Sequence, residues 1–339
     1  MSSRTVVFLF SFILATSAVA VEFPAGTPRF FDTRANSAIP ALDGGVWVGT
    51  PQGLVRYTEA GAGAAFPTPG GAPYSLAMAK DGSIWFASNT LIGRISTSGV
   101  ILEQHPMTAL RALAVASDGA LWYSRGSLGE FVGWIAGNVS AEFLSPTQTW
   151  SLAAASDGQM WVLGNGFGTD PDSLYKMTPA GAASVLPLGH DVLFGQLQAL
   201  PDGTLYIGTG IRNSVLRLVP GAQTVDVVNL PGSEYLSDAA GGLWTGGYGV
   251  LEYIARSGVP NVPMRMPVDP RQCFNIPAYV YRPVAIDSTG GLWVLIFDDA
   301  FYIGESPPCL EPEPPPMPDL IRIDMARFVP TRRRAVKLQ

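Results

Sequence analysis

The sequence predicts an all-β fold, a seven-bladed β-propeller of four-stranded antiparallel blades closed by an N-terminal strand, and three observations carry that prediction. A turn motif recurs seven times: ALDGGVW (41–47), AKDGSIW (79–85), ASDGALW (116–122), ASDGQMW (155–161), LPDGTLY (200–206), DAAGGLW (238–244) and DSTGGLW (287–293). Its aromatic residues, Trp47, Trp85, Trp122, Trp161, Tyr206, Trp244 and Trp293, are 38, 37, 39, 45, 38 and 49 residues apart, the period of propeller blades. A second repeat follows each motif, an apolar stretch with one long polar or aromatic residue inside it, as in GLVRYTEAG (53–61), LIGRISTSG (91–99) and SLYKMTPAG (173–181). Helical periodicity is nearly absent after the leader.

The elements follow in chain order. Residues 1–20 combine Arg4, an apolar run and the ending Ala18-Val19-Ala20, the pattern of a cleaved secretory signal. The expected product is a secreted or periplasmic protein with no membrane span in the mature chain. Residues 21–325 hold the propeller. In each blade the Asp-Gly pair turns the chain between strands one and two, because Gly accepts positive φ and Asp tolerates it. β-Branched and aromatic residues on both sides supply the strands. A blade cannot bury its own faces, so blades stack, and radial closure removes the open ends. The last repeat has only three clear strands. VEFPAGTPRFFDT (21–33) resembles outer-strand segments such as AEFLSP (141–146), so an N-terminal strand is expected to complete blade seven, with ARFVP in the basic tail, 326–339, as its competitor.

Two cysteines in an exported chain suggest one disulfide, Cys273 to Cys309. They fall in two long blade-seven loops that emerge on the same face. A bridge closing that loop would contribute roughly 3–4 kcal/mol. The charged fraction is 14% and the formal net charge −6, which gives no reason to invoke nucleic acid. The chain is expected to act as a monomer.

NTLIGRISTSGVILEQHPM (89–107), preceded by DGSIWF (81–86), resembles the repeat of the virginiamycin B (streptogramin B) lyase family, and GGVWVGTPQGLVRYTEAG (44–61) is similar to the repeats of two-component regulator propellers. The lyase resemblance implies elimination across an ester by a histidine base, with a magnesium ion held partly by carboxylate. In that family the histidines follow a proline at the start of inner strands. Here Tyr74 and Val284 stand after the comparable prolines, and no glutamate ends a second strand. Lactonase-type propellers imply calcium at the axis, for which Asn89, Glu130, Asn165, Asp170, Asp172, Asp191, Asp298 and Asp299 are oxygen donors on the proper face.

The chain has two histidines: His105 in EQHPM, and His190 in LGHDVLF with Asp191 beside it. The repeated turn aspartates and tryptophans read as scaffold. Trp150, outside the repeat and just before an inner strand, is the preferred aromatic ligand contact. The ligand-binding candidates are therefore Trp150, His105, His190, Asp191 and Glu130.

The functional expectation is a binding platform for a small-molecule or protein ligand on the face bearing the strand four-to-one and two-to-three loops. The alternative is a divergent C–O lyase or lactonase-type hydrolase using Ca2+ or Mg2+ at that axial face. A sensor propeller is the third reading.

Overall fold

The computed structural model describes residues 29–30, 37–58, 61–165, 173–190, 192, 196–209, 214–230, 234–238, 240–247, 250–254, 264–265, 279–287, 290–298 and 320–324. The leader, the C-terminal tail, Cys273, Cys309 and Asp191 lie outside them. The described chain forms seven four-stranded antiparallel sheets. Their inner strands are Ser37–Pro40, Ser75–Met78, Leu110–Val115, Gln148–Ala154, Leu197–Ala199, Glu234–Ser237 and Tyr279–Ile286. In six sheets the four strands follow sequence order. In the seventh, the fourth place beside Leu320–Asp324 is taken by Arg29–Phe30, with Arg29 opposite Ile321 and Phe30 opposite Leu320. Among the described residues, no helix is long and apolar enough to cross a membrane.

Burial peaks at the second strands and falls toward the rim. The second strand Val46–Thr50 is buried at every position, whereas the outer strands Ile101–Pro106 and Val139–Leu144 alternate or stay exposed. The core is accordingly divided among the blade interfaces. Trp122 packs with Leu152, Met160 and Val162 between blades three and four. Trp85 meets Leu110 and Leu113 between blades two and three, and Trp293 meets Val46 and Val48 between blades seven and one. The last of these contacts shuts the ring. Period-two alternation sends successive second-strand side chains to opposite neighbours, so each blade contributes to two interfaces.

The two sequence repeats prove to be one device. The marker aromatic on strand two pairs in register with the long residue on strand three: Trp47 with Arg56, Trp85 with Arg94, Trp122 with Trp134, Trp161 with Lys176, Tyr206 with Arg217, Trp244 with Tyr253 and Trp293 with Arg322. The Arg94 guanidinium lies 5.3 Å from the Trp85 ring centre and the Lys176 ammonium 5.1 Å from that of Trp161. These same residues reach back to the turn, Arg94 to Asp81 at 2.8 Å and Tyr253 to Asp238 at 2.7 Å. One cross-strand pair thus covers an indole and anchors a hairpin.

The turn aspartates act differently from expectation. The turn glycines adopt positive φ, Gly82 at 82° and Gly119 at 97°, but no described aspartate does. Asp81, Asp118, Asp157 and Asp202 instead accept a hydrogen bond from the backbone N–H two residues on. Asp is selected for that side-chain bond, which fixes the turn, rather than for left-handed backbone.

One buried group breaks the apolar pattern. Glu252, paired with Thr245 on blade six, occupies the place that Val55, Leu216 and Ile321 hold in blades one, five and seven, and burial raises its pKa. At a pH below the unfolded carboxyl value the group is neutral in both states. As pH rises through the raised folded value, the folded state must either hold a proton or bury a charge, so stability falls. Glu252→Gln removes that penalty. Its urea midpoint should match the parent at about pH 4 and exceed it at about pH 8. An advantage independent of pH would disprove the assignment.

Candidate functional site

The inner strands set the geometry of the axis. Each runs from the loop face toward its Asp-turn, so its first residues ring the mouth of the axial channel. There, residues from all seven blades surround a cavity of about 380 Å3, within the range of small-molecule sites. Its polar wall contains Ser75 of blade two, Arg111 of blade three, Ser151 of blade four, Gln198 of blade five, Tyr235 of blade six and Arg282 of blade seven. A second cavity of about 350 Å3 adjoins it and shares Tyr74, Arg111 and Trp150.

Arg111 and Trp150 reach this place by the same distortion. The pairing of blade three skips from Leu110 to Ala112, and that of blade four from Thr149 to Ser151, which leaves Arg111 and Trp150 as the extra residues of two β-bulges. A bulge re-aims the side chain of its extra residue. These two turn toward each other across the blade interface, and the Arg111 guanidinium carbon sits 4.5 Å from the centre of the Trp150 ring. Such a stack is worth about 0.5–2 kcal/mol. Arg111 Nε donates to the Gly126 carbonyl at 3.1 Å and a terminal nitrogen donates to the Ser127 carbonyl. The guanidinium is held from three sides before any ligand arrives.

The loop that holds it is itself braced by Glu130, whose carboxylate accepts from Leu128 N at 3.0 Å and Ser127 Oγ at 3.0 Å. Backbone N–H donors, the Ser127 hydroxyl and the charge of Arg111 keep its pKa below the usual carboxylate range. Glu130 therefore positions the support of Arg111 and is absent from the walls of both cavities.

Tyr74 stands where the lyase resemblance puts a histidine. Its hydroxyl approaches the Ser88 carbonyl at 3.2 Å and the Leu110 carbonyl at 3.0 Å, joining blades two and three. Burial raises its pKa. A phenol whose proton is directed at backbone carbonyls and whose ionisation is disfavoured is a brace, not a base at neutral pH. Tyr235 does the same between blades five and six, donating to the Gln196 carbonyl at 2.5 Å. Gln198 completes that seam by accepting from Ser237 N at 2.6 Å and donating to the Tyr235 carbonyl at 2.9 Å.

The five candidates from the sequence are dispersed. Trp150 is on the axial wall and Glu130 is in the adjoining loop. His105 lies on the outer strand of blade two, opposite Ile92 and 3.4 Å from Glu103, which also binds Arg94. His190 follows the outer strand of blade four, and Asp191 is outside the described residues. Neither histidine lines either cavity. Arg111, Arg282 and Tyr235 were not singled out by sequence reasoning. A counting signal finds part of the set: Tyr74, Arg111, Trp150 and Arg282 each precede the marker aromatic of their blade by eleven residues.

A divalent cation requires clustered oxygen ligands, carboxylates above all. The described walls offer hydroxyls, amides and two guanidinium groups without a carboxylate, and no group of three His, Cys, Asp or Glu side chains able to hold a metal occurs among the described residues. These walls do not fit Ca2+ or Mg2+.

No family model and no curated protein sequence matches the chain. Solved structures do. A streptogramin B lyase is 17% identical with a TM-score of 0.60, over 79% of this chain and 93% of its own. The virginiamycin B lyase of Staphylococcus aureus is 16% identical with a TM-score of 0.61, over 87% of this chain and 97% of its own. The WD40 propeller domain of Doa1 also reaches 0.61, at 11% identity, over 87% of this chain and 94% of its own. An equal score against a lyase and a WD40 domain identifies the seven-bladed scaffold, which hosts unrelated chemistries.

Proposed function

We propose that this chain is an exported, monomeric propeller that binds a small organic molecule in its axial cavity, on the face bearing the strand four-to-one and two-to-three loops. The observation that carries the reading is the pair of bulged residues, Arg111 and Trp150, stacked on each other at one cavity wall. Two adjacent blades give up regular pairing to bring a cation and an indole to the axis. Blades one, two, five and six pair their first two strands without a bulge, and the bulge of blade seven sets aside the aliphatic Val284, so the scaffold alone does not require a cation and an indole at these positions.

The test fills the cavity. Mature protein dialysed against a small-molecule extract should retain a compound detectable by native mass spectrometry, and Ala112→Trp, which enlarges a lining residue at the blade three–four seam, should abolish retention. Retention undiminished by Ala112→Trp would overturn the reading.

A divergent lyase or lactonase is the second reading, favoured by the similarity to two streptogramin lyases over most of the chain. It requires a proton acceptor other than the family's histidines, together with a Ca2+ or Mg2+ ion bound through groups beyond the described cavity walls. Turnover of a cyclic ester that stops on addition of EDTA would establish it.

A further inference from the structure

We infer that the axial cavity is specific for organic anions, carboxylates in particular, with Arg111 and Arg282 as the residues that recognise the charge. The inference rests on the axial-site reading and names the class of ligand. Both arginines line the same cavity, from blades three and seven, and no described lining residue is Asp or Glu. The chain as a whole carries a formal charge of −6, so positive charge at the axis is a local arrangement and not a sample of the surface.

An organic anion entering the cavity would meet the positive charge of two arginines on different blades. The groups around them are suited to complete the shell of an oxyanion. Ser75 and Ser151 supply hydroxyls, and the Ser37 hydroxyl is buried without a hydrogen-bond partner. Leu236 and Ile39 line the same space and suit an apolar body. Arginine presents a planar fork to a carboxylate. The Nε–Nη2 edge of Arg111 is held by the Gly126 and Ser127 carbonyls and its face by Trp150, so the Nη1 end meets the ligand and little side-chain entropy is lost when one binds.

A matched pair of fluorescent probes tests this. Anilinonaphthalene sulfonate and N-phenylnaphthylamine share an aromatic skeleton, and only the first is an anion. The sulfonate should saturate at one site per chain and bind about tenfold or more tighter than the neutral amine, with affinity falling as salt is added. Benzoate should displace it and methyl benzoate should not.

Arg111→Met and Arg282→Met should each weaken the sulfonate about tenfold or more and leave the amine unchanged. Arg282→Met leaves the Arg111–Trp150 stack intact, so it answers the question even if Arg111→Met misfolds. Equal affinity for the two probes, both lost in Ala112→Trp, would overturn anion recognition while the axial-site reading stands. Binding of the amine alone, lost in Ala112→Trp, would likewise overturn anion recognition only, whereas sulfonate binding that survives Ala112→Trp, or no binding of either probe, would overturn both.

Discussion

Asp287→Ala is expected to destabilise the protein by about 3–5 kcal/mol, because it removes one partner of a buried ion pair and leaves the other inside. The Asp287 carboxylate is fully buried. It accepts from Arg322 Nε at 2.7 Å, Trp293 Nε1 at 2.9 Å and the Gly291 N–H at 2.7 Å. The Arg322 side chain is only 11% exposed. Truncation therefore strips a carboxylate from a guanidinium, an indole and a backbone amide at once. Asp43 is the internal control. It pairs with Arg56 at the corresponding turn of blade one, but its side chain is 60% exposed, so Asp43→Ala should cost about 1 kcal/mol or less. Urea unfolding of the two variants decides the matter, and equal midpoints would refute the argument. Asp287 directly follows the inner strand that carries Arg282, so the same variant should also weaken the anionic probe.

The contrast between Asp43 and Asp287 also shows where the sequence is legible. Blade number, turn positions and the scaffold role of the repeated aromatics follow from periodicity, because every blade repeats the same packing problem. The pairing of Trp85 with Arg94 was visible as two parallel repeats, though not as one contact. Burial of Asp287 was not visible: Asp opens DSTGG and stands third in ALDGG, and both turns meet a third-strand arginine, so only the packed strands show which carboxylate is enclosed. The axial wall was harder still. Arg111 stands in MTALRALAVAS as an unremarkable strand residue, and Trp150 in PTQTWSLAAAS drew notice by lying outside the aromatic repeat, but a bulge leaves no mark in hydrophobic alternation, so their pairing was hidden. His105 drew attention by its chemistry, yet the pleat of an outer strand sets it beside Glu103. Residue type suggested reactivity there, while register decided position.

Trp122→Ala is the second large effect, about 3–5 kcal/mol, the usual cost of emptying a buried aromatic site. Trp122 is 1% exposed and fills the seam between blades three and four against Leu152, Met160 and Val162. Strand backbones on both sides hold the space open, so neighbours cannot collapse into the void. Trp161 holds the same motif position one blade later, but it is only partly buried and Lys176 lies over its ring. Trp161→Ala should therefore cost less than half as much, since part of the indole already meets water and the lysine stem can settle into the gap. The two variants also separate stability from function. Arg111 and Trp150 stack across the seam that Trp122 fills, whereas Trp161 faces the seam between blades four and five. Below its unfolding midpoint, Trp122→Ala should bind the anionic probe more weakly than the parent, and Trp161→Ala should bind it equally well. If the two bind alike, the bulged pair is held by its own loop contacts, and the blade interface has no part in presenting it.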